Sequence, residues 1–133
     1  MTDSFSLEET KSLARKLAAD AKRGDCYCLT GDLGAGKTEF ARAFIRELCG
    51  DITVASPTFN ILQIYENKIP IYHFDLYRIK NEDELEEVGI EDALDNGITL
   101  IEWPQIAQNL LPDDRFEIHI DILDENKRKI IIK

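Results

Sequence analysis

The stretch Gly31-Asp32-Leu33-Gly34-Ala35-Gly36-Lys37-Thr38 decides how this chain folds, because it fits the phosphate-binding pattern G-x-x-x-x-G-K-[ST]. The glycines let the backbone curl so that successive N–H groups converge on an anion. Lys37 can then reach the β- and γ-phosphates of a nucleotide, and the Thr38 hydroxyl can bind Mg²⁺. The motif therefore predicts a strand before the loop and a helix after it, whose positive end faces the phosphates.

The flanking sequence provides both elements. The run Cys26–Thr30 is apolar and strand-like, and residues 39–48 have the periodicity of an amphipathic helix that stops at Gly50. The apolar stripe of this helix consists of Phe40, Ala43, Phe44 and Leu48. A chance glycine-rich turn is the alternative, but a match at the four fixed positions of the pattern in this context is rarely a coincidence.

The length of 133 residues predicts a single domain spanning residues 1–133, and the order of its predicted strands and helices indicates the α/β class. Hydrophobic residues make up 44% of the chain and charged residues 32%, which is typical of a globular protein. The net charge of −10 gives no counterion-release affinity for nucleic acid, so we expect contact with RNA only indirectly, through a partner. No apolar run approaches a membrane span or a signal-peptide core, and we expect a cytoplasmic protein.

The three cysteines show no zinc spacing. Cys26 and Cys28 share one side of the predicted strand, and Cys49 lies at the end of the following helix. An odd number without metal-ligand spacing favours small buried apolar residues in a reducing compartment.

The rest of the chain predicts a mixed sheet, with a parallel core and antiparallel hairpins, flanked by helices. Ser6-Leu7-Glu8-Glu9 is a capping box that begins a helix ending near Gly24. Its expected inward residues are Leu7, Leu13, Ala14, Leu17, Ala18 and Ala21. Expected strands are residues 60–65 with 69–75, residues 98–102, and residues 116–123 with 127–132; short helices are expected at 82–88, 90–94 and 104–111.

Phosphoryl chemistry with Mg²⁺ needs an acid at a strand end besides Thr38. Glu102 follows the apolar run Ile98-Thr99-Leu100-Ile101, as a Walker-B acid does, although a solvated strand-end glutamate is the alternative. The second candidate is His73-Phe74-Asp75-Leu76-Tyr77-Arg78, where strand alternation puts His73 and Asp75 on one side. Asp75 and Arg78 could orient a water and clamp charge, or form a structural ion pair. A lone histidine at position 73 is more often a packing or hydrogen-bonding residue than a catalyst.

Three further features leave alternatives open. Ser56 and Thr58 lie on a loop after the motif's helix, where related NTPases place a γ-phosphate switch, but an ordinary turn fits equally well. Trp103 lies near the nucleotide or packs in the core. The acidic run Glu82–Glu87 is a solvated face or a docking surface for a basic partner.

The guanine-reading Asn-Lys-x-Asp element is missing, which favours ATP.

Taken in order, five blocks resemble the TsaE (YjeE) family, the bacterial ATPases of tRNA threonylcarbamoyladenosine synthesis. They are GDLGAGKT at 31–38, SPTF at 56–59, HFDLYR at 73–78, EEVGI at 86–90 and IEWP at 101–104. The resemblance implies a P-loop NTPase fold and slow, Mg²⁺-dependent ATP hydrolysis. It also implies TsaD and TsaB as partners, with TsaD carrying the threonylcarbamoyl transfer.

The resemblance also implies roles for individual residues. Lys37, Asp75 and Glu102 would be catalytic, with Asp75 near the attacking water, and Thr38 and Glu102 would hold Mg²⁺. The nucleotide would contact Asp32, Leu33, Gly34, Ala35, Gly36, Lys37, Thr38, Glu39 and Trp103, and its base would border Ser6 and Leu7. Residues 56–59 would form the switch. Glu39 departs from the family pattern of a small residue or Thr, so we expect its side chain to point away from the β-phosphate.

Two other functions share these motifs. A P-loop small-molecule kinase usually carries an arginine-rich lid, and the segment after Pro104 holds few arginines. A nucleotide-sensing adaptor would need binding without essential hydrolysis.

Overall fold

The computed structural model describes residues 2–31, 36–54, 61–124 and 127–133, with only the backbone of residues 2–5. The predicted nucleotide contacts Asp32, Leu33, Gly34 and Ala35, and the predicted switch at 56–59, lie outside the described residues.

A seven-stranded mixed sheet forms the centre of the described fold, in the order β1-β7-β6-β2-β5-β4-β3. Its strands are β1 (Thr2–Phe5), β2 (Cys26–Thr30), β3 (Leu62–Tyr65), β4 (Ile71–Asp75), β5 (Ile98–Glu102), β6 (Phe116–Asp124) and β7 (Lys127–Ile132). The central strands β6, β2, β5 and β4 are parallel to one another, whereas β3, β7 and β1 pair antiparallel with their neighbours. The predicted parallel core with antiparallel hairpins is confirmed. The sequence did not predict β1, a four-residue strand that includes Asp3 and Ser4.

Helices cover both faces of the sheet. They are α1 (Leu7–Ala19), α2 (Lys37–Cys49), α3 (Asp83–Glu87), α4 (Ile90–Asn96) and a 3₁₀-helix at Pro104–Leu110. Alternation along β2 separates the two cores: Tyr27 and Leu29 pack with α1 and α2, while Cys26 and Cys28 pack with α3, α4 and the 3₁₀-helix. No helix in the described part of the chain combines the length and apolar character that a membrane span requires.

Aromatic packing holds α2 against the strand that precedes the glycine-rich loop. The Tyr27 ring lies 4.8 Å from the Phe44 ring, edge to face, and stacks on Phe116 at 4.7 Å. Phe44 is fully buried, and complete burial of such a side chain contributes roughly 1.5–3 kcal/mol. The loop between β2 and α2 therefore has firmly placed ends.

Leu7 was expected to face inward, but it is 37% exposed, so that prediction is wrong. It is the first residue of α1, and the side chain of a helical residue lies over the preceding turn, which does not exist there. The three cysteines are free; Cys26 and Cys28 are buried as predicted, and Cys49 is only half-buried.

Candidate nucleotide and magnesium site

Three strands bring the predicted site residues to one edge of the sheet. Glu102 ends β5, and in the strand register it lies beside Leu29 of β2 and Asp75 at the end of β4. The carboxyl ends of parallel strands meet at one edge, which is where open α/β sheets bind ligands. The topology thus places both predicted acids next to the start of the glycine-rich loop.

The Glu102 carboxylate is buried and has a partner on each oxygen. Its side chain is only 5% exposed. The Thr38 hydroxyl lies 3.4 Å from Oε1, and His73 Nε2 lies 2.7 Å from Oε2. The solvated strand-end alternative is therefore excluded.

The pairing of Thr38 and Glu102 suits Mg²⁺ in its donor chemistry. A hydroxyl and a carboxylate are hard oxygen ligands, and Mg²⁺ is usually held by one or two of these together with waters and substrate phosphates. Within the described ranges, no group of three or more His, Cys, Asp or Glu side chains could enclose a metal ion. A hydroxyl and one carboxylate leave most coordination positions to waters and phosphates, which fits a cation that arrives with a polyphosphate.

Lys37 is the second buried charge at this edge. It is 4% exposed, its Nζ donates to the Gly31 carbonyl oxygen at 2.7 Å, and Nζ lies 3.5 Å from the Trp103 ring centroid. A cation this close to an indole face is stabilised by the ring quadrupole. The ammonium is thus held at the beginning of the loop, which is the position that the motif requires.

Trp103 reaches Lys37 through an unusual backbone conformation. Its φ of 58° is the one positive φ among the described non-glycine residues. Such a conformation costs of order 1–3 kcal/mol and often occurs at ligand sites. The ring also lies 4.9 Å from that of Tyr77, which is exposed. The Trp103 ring therefore lies beside Lys37 of the motif, and its contact with a nucleotide stays a prediction.

Asp75 is half-buried at the end of β4. Its Oδ1 accepts a hydrogen bond from the Tyr77 backbone N–H at 3.0 Å. Burial raises the pKa of its carboxyl above the ordinary value and the Glu102 charge adds to this, against the lowering effects of the Tyr77 N–H, His73 and Lys37. Arg78 is exposed, and no ion pair joins it to Asp75 in the described part of the chain.

The remaining predicted contacts lie at the start of the helices. Gly36 precedes α2 with a φ of 100°, a conformation that favours glycine. The Glu39 carboxylate bonds to Arg42 at 2.8 Å and is 39% exposed. The Ser6 hydroxyl is used within α1, where it accepts from the Glu9 N–H, and Leu7 is exposed. The contacts predicted between these two residues and the nucleotide base stay predictions.

Sequence reasoning missed two polar contacts near this edge. One is the His73–Glu102 bond. Strand alternation puts His73 on the same side as Asp75, but only the pairing of β4 with β5 brings that side next to Glu102. The other lies at the end of β2, where Thr30 Oγ1 lies 2.7 Å from His119 Nδ1 and His119 Nε2 lies 2.9 Å from Asp121 Oδ1. The His73–Glu102 and Thr30–His119 contacts each join two strands far apart in sequence, so no local pattern reports them.

Comparisons with known proteins agree on one family. The model of the family "Threonylcarbamoyl adenosine biosynthesis protein TsaE" matches residues 4–130. The tRNA threonylcarbamoyladenosine biosynthesis protein TsaE of Rickettsia felis is 50% identical over 123 residues, covering 91% of this chain and 72% of that protein. The TsaE of Bacillus subtilis is 42% identical over 125 residues, covering 92% of this chain and 78% of its own. The crystal structure of YdiB from Bacillus subtilis matches with a TM-score of 0.75 and 34% identity, over 98% of this chain and 84% of that one.

Proposed function

This chain belongs to the TsaE family of tRNA threonylcarbamoyladenosine biosynthesis, and we propose that it is the Mg²⁺-dependent, ATP-hydrolysing subunit of that modification. The observation that carries the proposal is the buried Glu102 carboxylate facing the Thr38 hydroxyl at 3.4 Å. A strand-end acid beside the Thr of a G-x-x-x-x-G-K-[ST] motif is the arrangement by which P-loop NTPases hold Mg²⁺. We accordingly interpret the α/β sheet as a P-loop NTPase fold.

The chain's own residues divide the work of hydrolysis. Lys37 binds the β- and γ-phosphates, and the N-terminus of α2 adds its backbone N–H groups. Thr38 and Glu102 hold Mg²⁺, which when bound neutralises charge on the phosphates. Asp75 orients the attacking water and takes its proton as the water oxygen bonds to the γ-phosphorus and the bond to ADP breaks. A carboxylate whose pKa is raised by burial is a better proton acceptor than an exposed one.

The partners in this proposal are TsaD and TsaB, with tRNA bound through them. The net charge of −10 supports indirect contact, since an acidic chain does not gain affinity from phosphate neutralisation. ATP hydrolysis then supports turnover of the complex, and the threonylcarbamoyl transfer takes place on TsaD.

The test compares ATP turnover and nucleotide binding in the same samples. We expect slow, Mg²⁺-dependent turnover by the purified chain, changed by adding TsaD and TsaB. Asp75→Asn should retain ATP affinity and lose turnover, whereas Asp92→Asn, on the exposed face of α4, should behave as wild type. Equal turnover in the wild type and in Asp75→Asn would refute the role of Asp75. If Asp75→Asn is inactive in hydrolysis but still supports tRNA modification in cells, the chain acts as a nucleotide-sensing adaptor instead.

A further inference from the structure

We propose that His73 is a positioning residue for the magnesium ligand Glu102, an inference that rests on the function proposed above. His73 holds one carboxylate oxygen so that the other faces Thr38. The imidazole itself contacts neither nucleotide nor metal. Its effect is on how strongly the cation binds.

The contacts of His73 all point to this one task. The ring is fully buried, and its Nε2 lies 2.7 Å from Glu102 Oε2. Because an ionised carboxylate can only accept hydrogen bonds, we assign Nε2 as the donor. The ring's Nδ1 has no hydrogen-bond partner within the described ranges. An unpartnered buried nitrogen is costly, so an apolar ring would fill this space better if packing were the only requirement. The imidazole is explained by what its other nitrogen does for Glu102.

Glu102 needs an external restraint to present one oxygen. A glutamate side chain turns about three torsions, so its carboxylate can adopt several orientations unless a partner holds it. With Oε2 bonded to His73, Oε1 is the oxygen that lies 3.4 Å from Thr38 Oγ1. The strand ladder fixes the imidazole in turn, because β4 pairs with β5 continuously from Ile71↔Ile98 to Asp75↔Glu102. The restraint is therefore built on two rigid central strands.

Hydrogen bonds to metal ligands have measurable consequences. Loss of such an outer partner typically weakens metal affinity about 10–100-fold, because the ligand must then be ordered by the metal itself. If His73 were purely structural, replacing it would lower the stability of the fold and would weaken nucleotide binding equally with and without metal. A larger loss with metal than without it is therefore the readout that distinguishes the two roles.

The experiment measures Mg²⁺ affinity rather than turnover. Wild type, His73→Phe and His73→Gln are titrated with ADP in EDTA, and then with Mg²⁺ at saturating ADP, by calorimetry. Gln keeps an N–H donor near the position of Nε2, whereas Phe keeps a ring without a donor. We expect Phe to weaken Mg²⁺ binding about 10–100-fold, with metal-free ADP affinity within about twofold of wild type. We expect Gln to restore most of the Mg²⁺ affinity.

A double-mutant comparison tests whether His73 affects Mg²⁺ affinity through Glu102. In a Glu102→Gln background, His73→Phe should cause no further loss of Mg²⁺ affinity, since His73 acts through Glu102. If His73→Phe does not fold, His73→Asn replaces it, because the shorter amide cannot reach Oε2; Asn and Gln should then differ in Mg²⁺ affinity.

Three results would overturn the proposal: wild-type Mg²⁺ affinity in the donor-free variant, equal losses with and without metal, or additive effects in the double mutant. If wild type itself shows no Mg²⁺-dependent ADP binding, the proposed function fails instead.

Discussion

Replacing Lys37 with Ala tests the proposed nucleotide site at its buried positive charge. The Lys37 ammonium is already placed against the Gly31 carbonyl and the Trp103 ring before any ligand arrives. Its contacts to a polyphosphate would be charge-assisted hydrogen bonds, which contribute roughly 1.5–3 kcal/mol each. Because binding exchanges some existing contacts for new ones, we expect the net effect of the substitution to equal about one such bond. At about 1.4 kcal/mol per factor of ten, Lys37→Ala should weaken ADP binding about ten- to a hundredfold.

Calorimetric titration with ADP measures this loss without relying on Trp103 fluorescence, which the substitution itself perturbs. Lys68→Ala is the matched control, because it removes the same charge from an exposed position in the turn between β3 and β4. We expect that control to bind ADP as wild type does. ADP affinity in Lys37→Ala within twofold of wild type would refute the assignment of the motif. An equal loss of ADP affinity in Lys68→Ala would show that the loss comes from net charge and not from the position of Lys37.

Further predictions concern stability. Burial raises the pKa of the Asp75 carboxyl above its ordinary 3.8, so the folded state binds the carboxyl proton more tightly than the unfolded chain does. The folded state therefore loses stability as pH rises from 3.8 through the raised pKa. Asp75→Asn should therefore raise the urea midpoint at pH 7, by a margin that shrinks towards pH 4; an equal margin at both pH values would contradict this. Ser6→Ala removes a capping-box bond and should cost about 1 kcal/mol in urea unfolding, while Ser12→Ala on the same helix serves as the exposed control. Gly97→Ala would make Cβ collide with the Pro70 carbonyl oxygen and should cost about 1–3 kcal/mol; an unchanged thermal midpoint would contradict this and show that the backbone relaxes freely.

The sequence by itself was enough to predict the elements and to indicate a kind of chemistry. Hydrophobic periodicity and capping residues act within a few residues of one another, so strands such as Ile98–Glu102 and the helix Lys37–Cys49 could be predicted from local pattern. The phosphate-binding motif is also local, since consecutive backbone N–H groups and one Lys create it. The sequence left open whether Glu102 is a Walker-B acid or a solvated strand-end glutamate, because burial is not a local property.

Only the tertiary structure decided which side chains meet. The order of strands β2, β5 and β4 is set by long-range pairing, and it alone brings Glu102 beside Thr38, 64 residues away, and His73, 29 residues away. The left-handed backbone of Trp103, which carries its ring over Lys37, likewise has no sequence signal, since glycine and asparagine are the residues that normally indicate it. Hydrogen bonds and cation–π contacts act over a few ångströms, so they become definite only once packing has fixed the strands that carry them.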